Sequence, residues 1–263
     1  MEKRIISGTK EWAVHTVNCV KGCSHDCRYC FARFNAVNRF KYIKEGEWEN
    51  EVINQKEVSK NRKKLDGSIL FPSTHDIVPK TVDTCLVVLK KLLTAENKVL
   101  IVSKPHFECI EKLCDQLSPY VRQILLRFTI GATDNAILKY WEPGAPSFEE
   151  RLASLKHAYS KGFATSVSTE PMLDPYHIWT LVKACEPFVT DAIWIGKMNK
   201  VEKRVSIENE EDRKMVHAIQ NGQTDAKIKI IYDSLKDNSM IKWKESIKIV
   251  VGLPTAEVAG EDR

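Results

Sequence analysis

Three cysteines stand within eight residues, Cys23-Ser24-His25-Asp26-Cys27-Arg28-Tyr29-Cys30, and nothing else in this chain constrains it as much. Gly22 precedes the run and Phe31-Ala32-Arg33 follows it. So short a loop brings three thiolates to one place, which suits a metal centre far better than a core. Iron–sulfur clusters take Cys thiolates, and a four-iron cubane held by three of them keeps one iron free for a small molecule. Zinc is one alternative, but it takes four ligands, usually as two separated pairs. No second Cys or His pair at that spacing exists here. A disulfide framework is another, but it belongs to short secreted chains, and this chain has 263 residues with no signal-peptide apolar core after Met1-Glu2-Lys3-Arg4. Cys19, four residues upstream, reads as the end of a strand over 12–19. As a fourth ligand it would block the open iron.

A length of 263 residues permits one large domain or two small ones. Hydrophobic content of 43% and charged content of 29% describe an ordinary globular protein. No apolar run approaches a membrane span. The expected location is cytoplasmic, where a reducing medium protects a cluster and free thiols. A net charge of +5 is a weak pointer to an anionic partner.

Along the chain, short apolar strands alternate with helices. After the strand at 12–19 and a helix over 31–42, residues 43–67 read as a charged insertion carrying Trp48. Strands are expected at 68–71, 98–102, 124–129, 163–168 and 192–196, and helices at 80–93, from Pro105 to before Pro119, from Ser147 to Lys161 and at 177–185. Pro105 suits a first helical position, and Ser147 with Glu150 fits a capping box. Six such alternations argue for an α/β fold with a parallel sheet. Residues 205–263 break the pattern: a charged helix over 208–220, an ambiguous stretch at 227–232, and mixed periods at 241–251. This divides the chain into a domain at 1–204 and a C-terminal extension at 205–263 that covers the open side or the bottom of the first.

Four further cysteines, Cys85, Cys109, Cys114 and Cys185, fall on apolar helix faces and read as core. Strand ends carry the other candidates. Ser73-Thr74-His75-Asp76 follows the second strand and Ser103-Lys104 the third. Polar groups there face a cofactor or substrate, or merely cap the next helix; Lys104 offers a cation for a carboxylate. Tyr29 is a candidate to stack on a base. His25 and Asp26 read as exposed spacers, and Glu142 as a residue that fixes its loop. Arg28, Arg33, Phe34, Arg39, Phe40, Lys41 and Tyr42, with Lys60, Arg62, Lys63 and Lys64, form a basic and aromatic group that suits phosphates and bases, or is simply a solvated face.

The cysteine spacing, with an aromatic residue just before Cys30, resembles the signature of the radical S-adenosylmethionine superfamily. That resemblance implies a [4Fe-4S] cluster on Cys23, Cys27 and Cys30 whose free iron chelates S-adenosylmethionine. It implies reductive cleavage to a 5′-deoxyadenosyl radical that abstracts hydrogen from a substrate, with electrons from a donor such as flavodoxin or ferredoxin. It also implies a partial (β/α)6 TIM-like barrel, with the site at the carboxyl ends of the strands. Over about residues 12–200 the chain is further similar to the branch related to spore photoproduct lyase: in the cluster loop, in Ser103-Lys104, and in Trp141-Glu142-Pro143-Gly144-Ala145-Pro146-Ser147-Phe148-Glu149-Glu150-Arg151. In that branch the lysine binds the S-adenosylmethionine carboxylate. Two departures separate this chain from the lyase: Ser73 where the lyase has a hydrogen-donating cysteine, and Phe31 where it has a tyrosine. The branch implies a nucleic-acid or nucleotide substrate. A peptide or small metabolite is the enzymatic alternative, and a noncatalytic metal- or nucleic-acid-binding module the other. The sequence leaves the oligomeric state open.

Overall fold

Residues 6–262 are described by a computed structural model. Seven parallel strands form one sheet in chain order: β1 (His15–Thr16), then, after the β2 (Val20–Lys21) and β3 (Val52–Ile53) hairpin, β4 (Ser68–Phe71), β5 (Lys98–Ser103), β6 (Ile124–Thr129), β7 (Ala164–Thr169), β8 (Ile193–Ile195) and β9 (Ile241–Trp243). β4 and β5 are almost wholly apolar because both of their faces are covered, whereas β6 carries the buried Arg127 and β7 is rich in buried Ser and Thr. Ile69, Ile101, Leu126, Val167 and Ile193 are all buried in the main core between sheet and helices. Leu70, Leu100 and Trp194 face inward and pack with Trp12.

The helices follow in order: α1 (Phe31–Arg33), continued by a π-helical turn to Arg39; α2 (Gln55–Ser59); α3 (Val82–Thr94); α4 (Phe107–Leu117); α5 (Asn135–Trp141); α6 (Phe148–Ser160); α7 (Ile178–Cys185); α8 (Val201–Arg204); α9 (Glu210–Gly222); α10 (Asp225–Leu235); and α11 (Glu245–Val251). Cys85, Cys109, Cys114 and Cys185 are buried in the core under α3, α4 and α7. Ser147 caps α6 by accepting from the Glu150 amide at 3.3 Å. Glu150 does not reach back as a capping box requires; its carboxylate instead accepts from the Phe107 amide at 3.0 Å.

The six expected strands are all present, although the first is only His15–Thr16. The C-terminal segment supplies a seventh, β9, parallel to β8. Residues 227–232 belong to helix α10. The sheet stays open between β1 and β9, and chain ends fill that seam. Lys244, next to β9, reaches the Gly8 carbonyl at 2.8 Å and Glu11 at 2.7 Å. Near the other end of the chain, the Gly260 amide donates to Lys10 at 2.8 Å and the Asp262 amide to Glu11 at 3.1 Å.

Candidate active site and metal centre

The carboxyl ends of the strands open onto a cavity of about 960 Å³. Cys23, Cys27 and Cys30 line it. So do Tyr29, Ser73, Thr74, His75, Asp76, Ser103 and Lys104, so every site residue singled out in the sequence meets there.

The cysteine loop is clamped from both sides. On one side the Cys23 amide donates to Trp48 O at 2.9 Å, and the Ser24 amide and hydroxyl both donate to Glu51 at 3.0 Å. Gly22 makes this approach at φ +84, where a Cβ would lie 2.6 Å from Trp48 O. On the other side the Arg28 amide donates to Trp141 O at 2.9 Å, and the Gly144 amide to His25 O at 3.1 Å. Thus the "insertion" at 43–67 and the Trp141–Gly144 turn are the two jaws that shape the loop.

Burial pushes all three thiols up, Cys27 to about 12 although Lys104 opposes the shift. Thiols so desolvated give up their protons when a cation replaces them. Three cysteine thiols lining one cavity are the donor set that an iron–sulfur cluster takes, one thiolate to each iron.

Beside the thiols lies a shelf built on Asp76. Its carboxylate accepts from the Ser103 hydroxyl, from the Ile77 amide at 2.9 Å and from the Lys104 amide at 3.0 Å. His25 Nδ1 stands 3.2 Å from Asp76 Oδ2. Burial would raise this carboxyl, but His25, Lys104 and Ser103 hold it well below the usual carboxylate range. Lys104 is desolvated too, which alone would lower it, yet Cys27, Glu142 and Asp76 keep it firmly cationic. Its ammonium makes no hydrogen bond or ion pair among the described residues, and sits 5.9 Å from the Tyr29 ring centre.

His25 corrects the reading as an exposed spacer: it is fully buried. Its Nε2 lies 3.0 Å from His106 Nε2, which extends the Asp76 contact toward α4. No periodicity marks a residue between two ligands, so its sequence carried no signal. Tyr29 shows its ring to the cavity, while its hydroxyl donates to Glu142. Glu142 is paired at 2.6 Å with Arg151, and both are fully buried. Glu142 therefore fixes the loop, as expected, and Arg151 is the partner the sequence did not reveal. Cys19 does not line the cavity; its Sγ packs 3.8 Å from that of Cys85.

The basic and aromatic group divides. Arg28 pairs with Asp212 at 3.2 Å and Arg33 with Asp26 at 3.2 Å. Lys60 and Arg62 pair with Glu57, and Lys64 with Glu96. Phe31, Phe34 and Arg39 do line the cavity.

Residues 17–186 match the sequence profile of the Radical SAM superfamily. The chain belongs to the radical SAM superfamily. That membership implies S-adenosylmethionine and a [4Fe-4S] cluster, the group the three thiols fit. An uncharacterised protein of Acidianus two-tailed virus, ORF301, is 27% identical over 184 residues, 65% of this chain and 59% of the viral protein. Streptococcus suis SuiB bound to S-adenosylmethionine superposes with a TM-score of 0.55 at 13% identity, over 94% of this chain and 54% of SuiB. Spore photoproduct lyase complexed with dinucleoside spore photoproduct gives 0.51 at 14% identity, over 87% of this chain and 67% of the lyase. At these identities the two superpositions speak for the fold. This radical SAM chain thus spans less than two thirds of the viral relative and of SuiB. Among its described residues no helix is long and apolar enough to cross a membrane.

Proposed function

We propose that this protein is a radical SAM enzyme that cleaves S-adenosylmethionine and abstracts hydrogen from a nucleotide or nucleic-acid substrate. The observation that carries the reading is the convergence of Cys23, Cys27 and Cys30 with the Asp76–Ser103–Lys104 shelf on one cavity. When bound, the reduced cluster supplies the electron that splits the sulfonium into methionine and a 5′-deoxyadenosyl radical. The three thiolates hold the cluster. Lys104, whose ammonium makes no hydrogen bond or ion pair among the described residues, meets the cofactor carboxylate. Asp76 already accepts from Ser103, Ile77 and Lys104 and has His25 Nδ1 at 3.2 Å, which nearly fills a carboxylate's capacity. Its part is to hold the shelf, which leaves the Thr74 hydroxyl, without a hydrogen-bond partner among the described residues, for the cofactor ammonium. Burial of the loop keeps water from the reacting atoms. The electron comes from a small donor such as flavodoxin or ferredoxin.

The substrate class rests on the cavity mouth. Phe31 is 40% exposed and lies with Phe34 and Arg39 on the lining, the pairing of aromatic faces and guanidinium that stacks bases and meets phosphates. At about 960 Å³ the cavity lies at the top of the range for a small-molecule site.

Anaerobic reconstitution with iron and sulfide, then an assay for 5′-deoxyadenosine with dithionite, tests the chemistry. About four irons per chain, a reduced-cluster paramagnetic signal and 5′-deoxyadenosine are expected. Stoichiometric zinc without iron would overturn the reading.

A further inference from the structure

The cavity has a second cationic wall, remote in sequence from Lys104, and no cofactor role uses it. Lys200, Lys203 and Arg204, in and just before α8, all line the cavity. Arg204 decides what that wall is for. It is half-buried, yet its guanidinium makes no hydrogen bond and no ion pair among the described residues. The cavity's carboxylates do not close this gap. Asp76 is committed to its shelf, Glu170 lies 3.2 Å from Lys244, and Glu245 is within electrostatic reach of Lys200. A half-buried guanidinium that lines a cavity keeps donors available to a ligand that enters it. Burial depresses Arg204, while Cys30, Glu170 and Glu202 draw it back. Arg204 shares the cavity lining with Cys23, Cys27 and Cys30, so it offers a cation to an anionic ligand that enters beside the thiols.

We propose that Arg204, with Lys203 beside it, is the subsite for a phosphate group of the substrate. A planar fork of N–H donors matches phosphate oxygens in pairs, which a lysine ammonium does not. Phe31 and Phe34 then hold the base of the same ligand. This deepens the nucleotide reading above and rests on it for the base, but not for the phosphate.

The test is fluorescence anisotropy of the reconstituted protein with a labelled single-stranded oligodeoxythymidylate, competed by thymidine 5′-monophosphate and by thymidine. Wild type should prefer the monophosphate to the nucleoside. Arg204→Gln should weaken oligonucleotide binding roughly tenfold to a hundredfold and erase that preference. Arg204→Lys should restore only part of it. The salt dependence should also flatten by about 0.7 in log–log slope, one phosphate contact on a single strand. Cluster spectrum and S-adenosylmethionine affinity in Arg204→Gln should match wild type. Unchanged oligonucleotide affinity and slope in this variant overturn the subsite and leave the nucleotide reading standing. A loss of S-adenosylmethionine affinity instead makes Arg204 a cofactor residue and overturns the subsite too. Should wild type bind neither nucleotide nor oligonucleotide, inorganic pyrophosphate is the deciding probe. An Arg204-dependent shift in melting temperature supports the phosphate subsite while the nucleotide reading falls, and no shift overturns both.

Discussion

Asp76 and Lys104 are adjacent groups with opposite assignments, and the difference lies in their partners. Asp76 accepts from the Ile77 and Lys104 amides and from Ser103, so its charge is spent inside the protein. The Lys104 ammonium, in the same low-dielectric place, makes no hydrogen bond or ion pair among the described residues. A hydrogen bond between charged groups there is worth about 1.5–3 kcal/mol. Lys104→Met keeps the stem and removes the charge. It should retain its cluster spectrum and bind S-adenosylmethionine roughly tenfold to a hundredfold more weakly, read by equilibrium titration of the reconstituted variant; unchanged affinity takes Lys104 out of the site. Cys85 makes the converse case. It is fully buried beside Cys19 and remote from the lining, so Cys85→Ala should leave iron content intact while lowering the melting temperature. Iron lost from that variant would show that a ligand had been read as core. At this scale the meeting of the three loop thiols in one cavity was legible because the spacing itself is the signal. His25 was not, because its role depends on His106, 81 residues away.

The elements were most legible where one principle acts alone. β4 is a short apolar run and β6 an apolar run broken only by Arg127, and the sequence marks their ends at Ser68–Phe71 and Ile124–Thr129. β2, β3 and β9 are two or three residues long, too short for any period to show. The β2–β3 hairpin nonetheless makes one jaw of the cysteine loop. The other jaw turns on Gly144, where an added Cβ would stand 2.1 Å from the Ser24 carbonyl oxygen. Neither partner is the tip of a flexible side chain, so backbone must move. Gly144→Ala should cost about 1–3 kcal/mol, the usual range for overpacking. It should also reduce cluster loading, since the displaced backbone joins two of the ligands. Melting curves together with iron analysis check this. A variant that loses stability but loads iron normally would make the turn a scaffold only.

The whole molecule is held closed at the seam between β1 and β9 by one buried charge group. Lys244 is fully buried, 2.7 Å from Glu11 and 3.2 Å from Glu170, with two carboxylates sharing one ammonium. Burial pushes the Glu11 carboxyl up to about 7; Lys244 opposes this and Glu170 adds to it. In the unfolded chain a glutamate titrates near about 4.3. Between those values the folded protein holds a proton that the unfolded chain lacks. Stability therefore falls as pH rises through this window, by at most about 1.4 kcal/mol per unit, and levels off above about pH 7. Glu11→Gln cannot ionise and removes that slope. It brings a fixed cost of its own, because Glu11 Oε2 accepts from the Glu245 amide at 2.9 Å and an amide nitrogen there has nothing to accept with. That cost does not vary with pH, so the slope is what the experiment reads. Melting temperatures of parent and variant compared from pH 5 to pH 8 should show the variant less stable at the acid end and gaining on the parent as pH rises. Glu170 and Glu245, which face the same group, are unchanged between the two proteins, so the difference in slope belongs to Glu11. A gap that stays constant over the range would mean that Glu11 is ionised throughout, and that the seam is held by an ordinary ion pair.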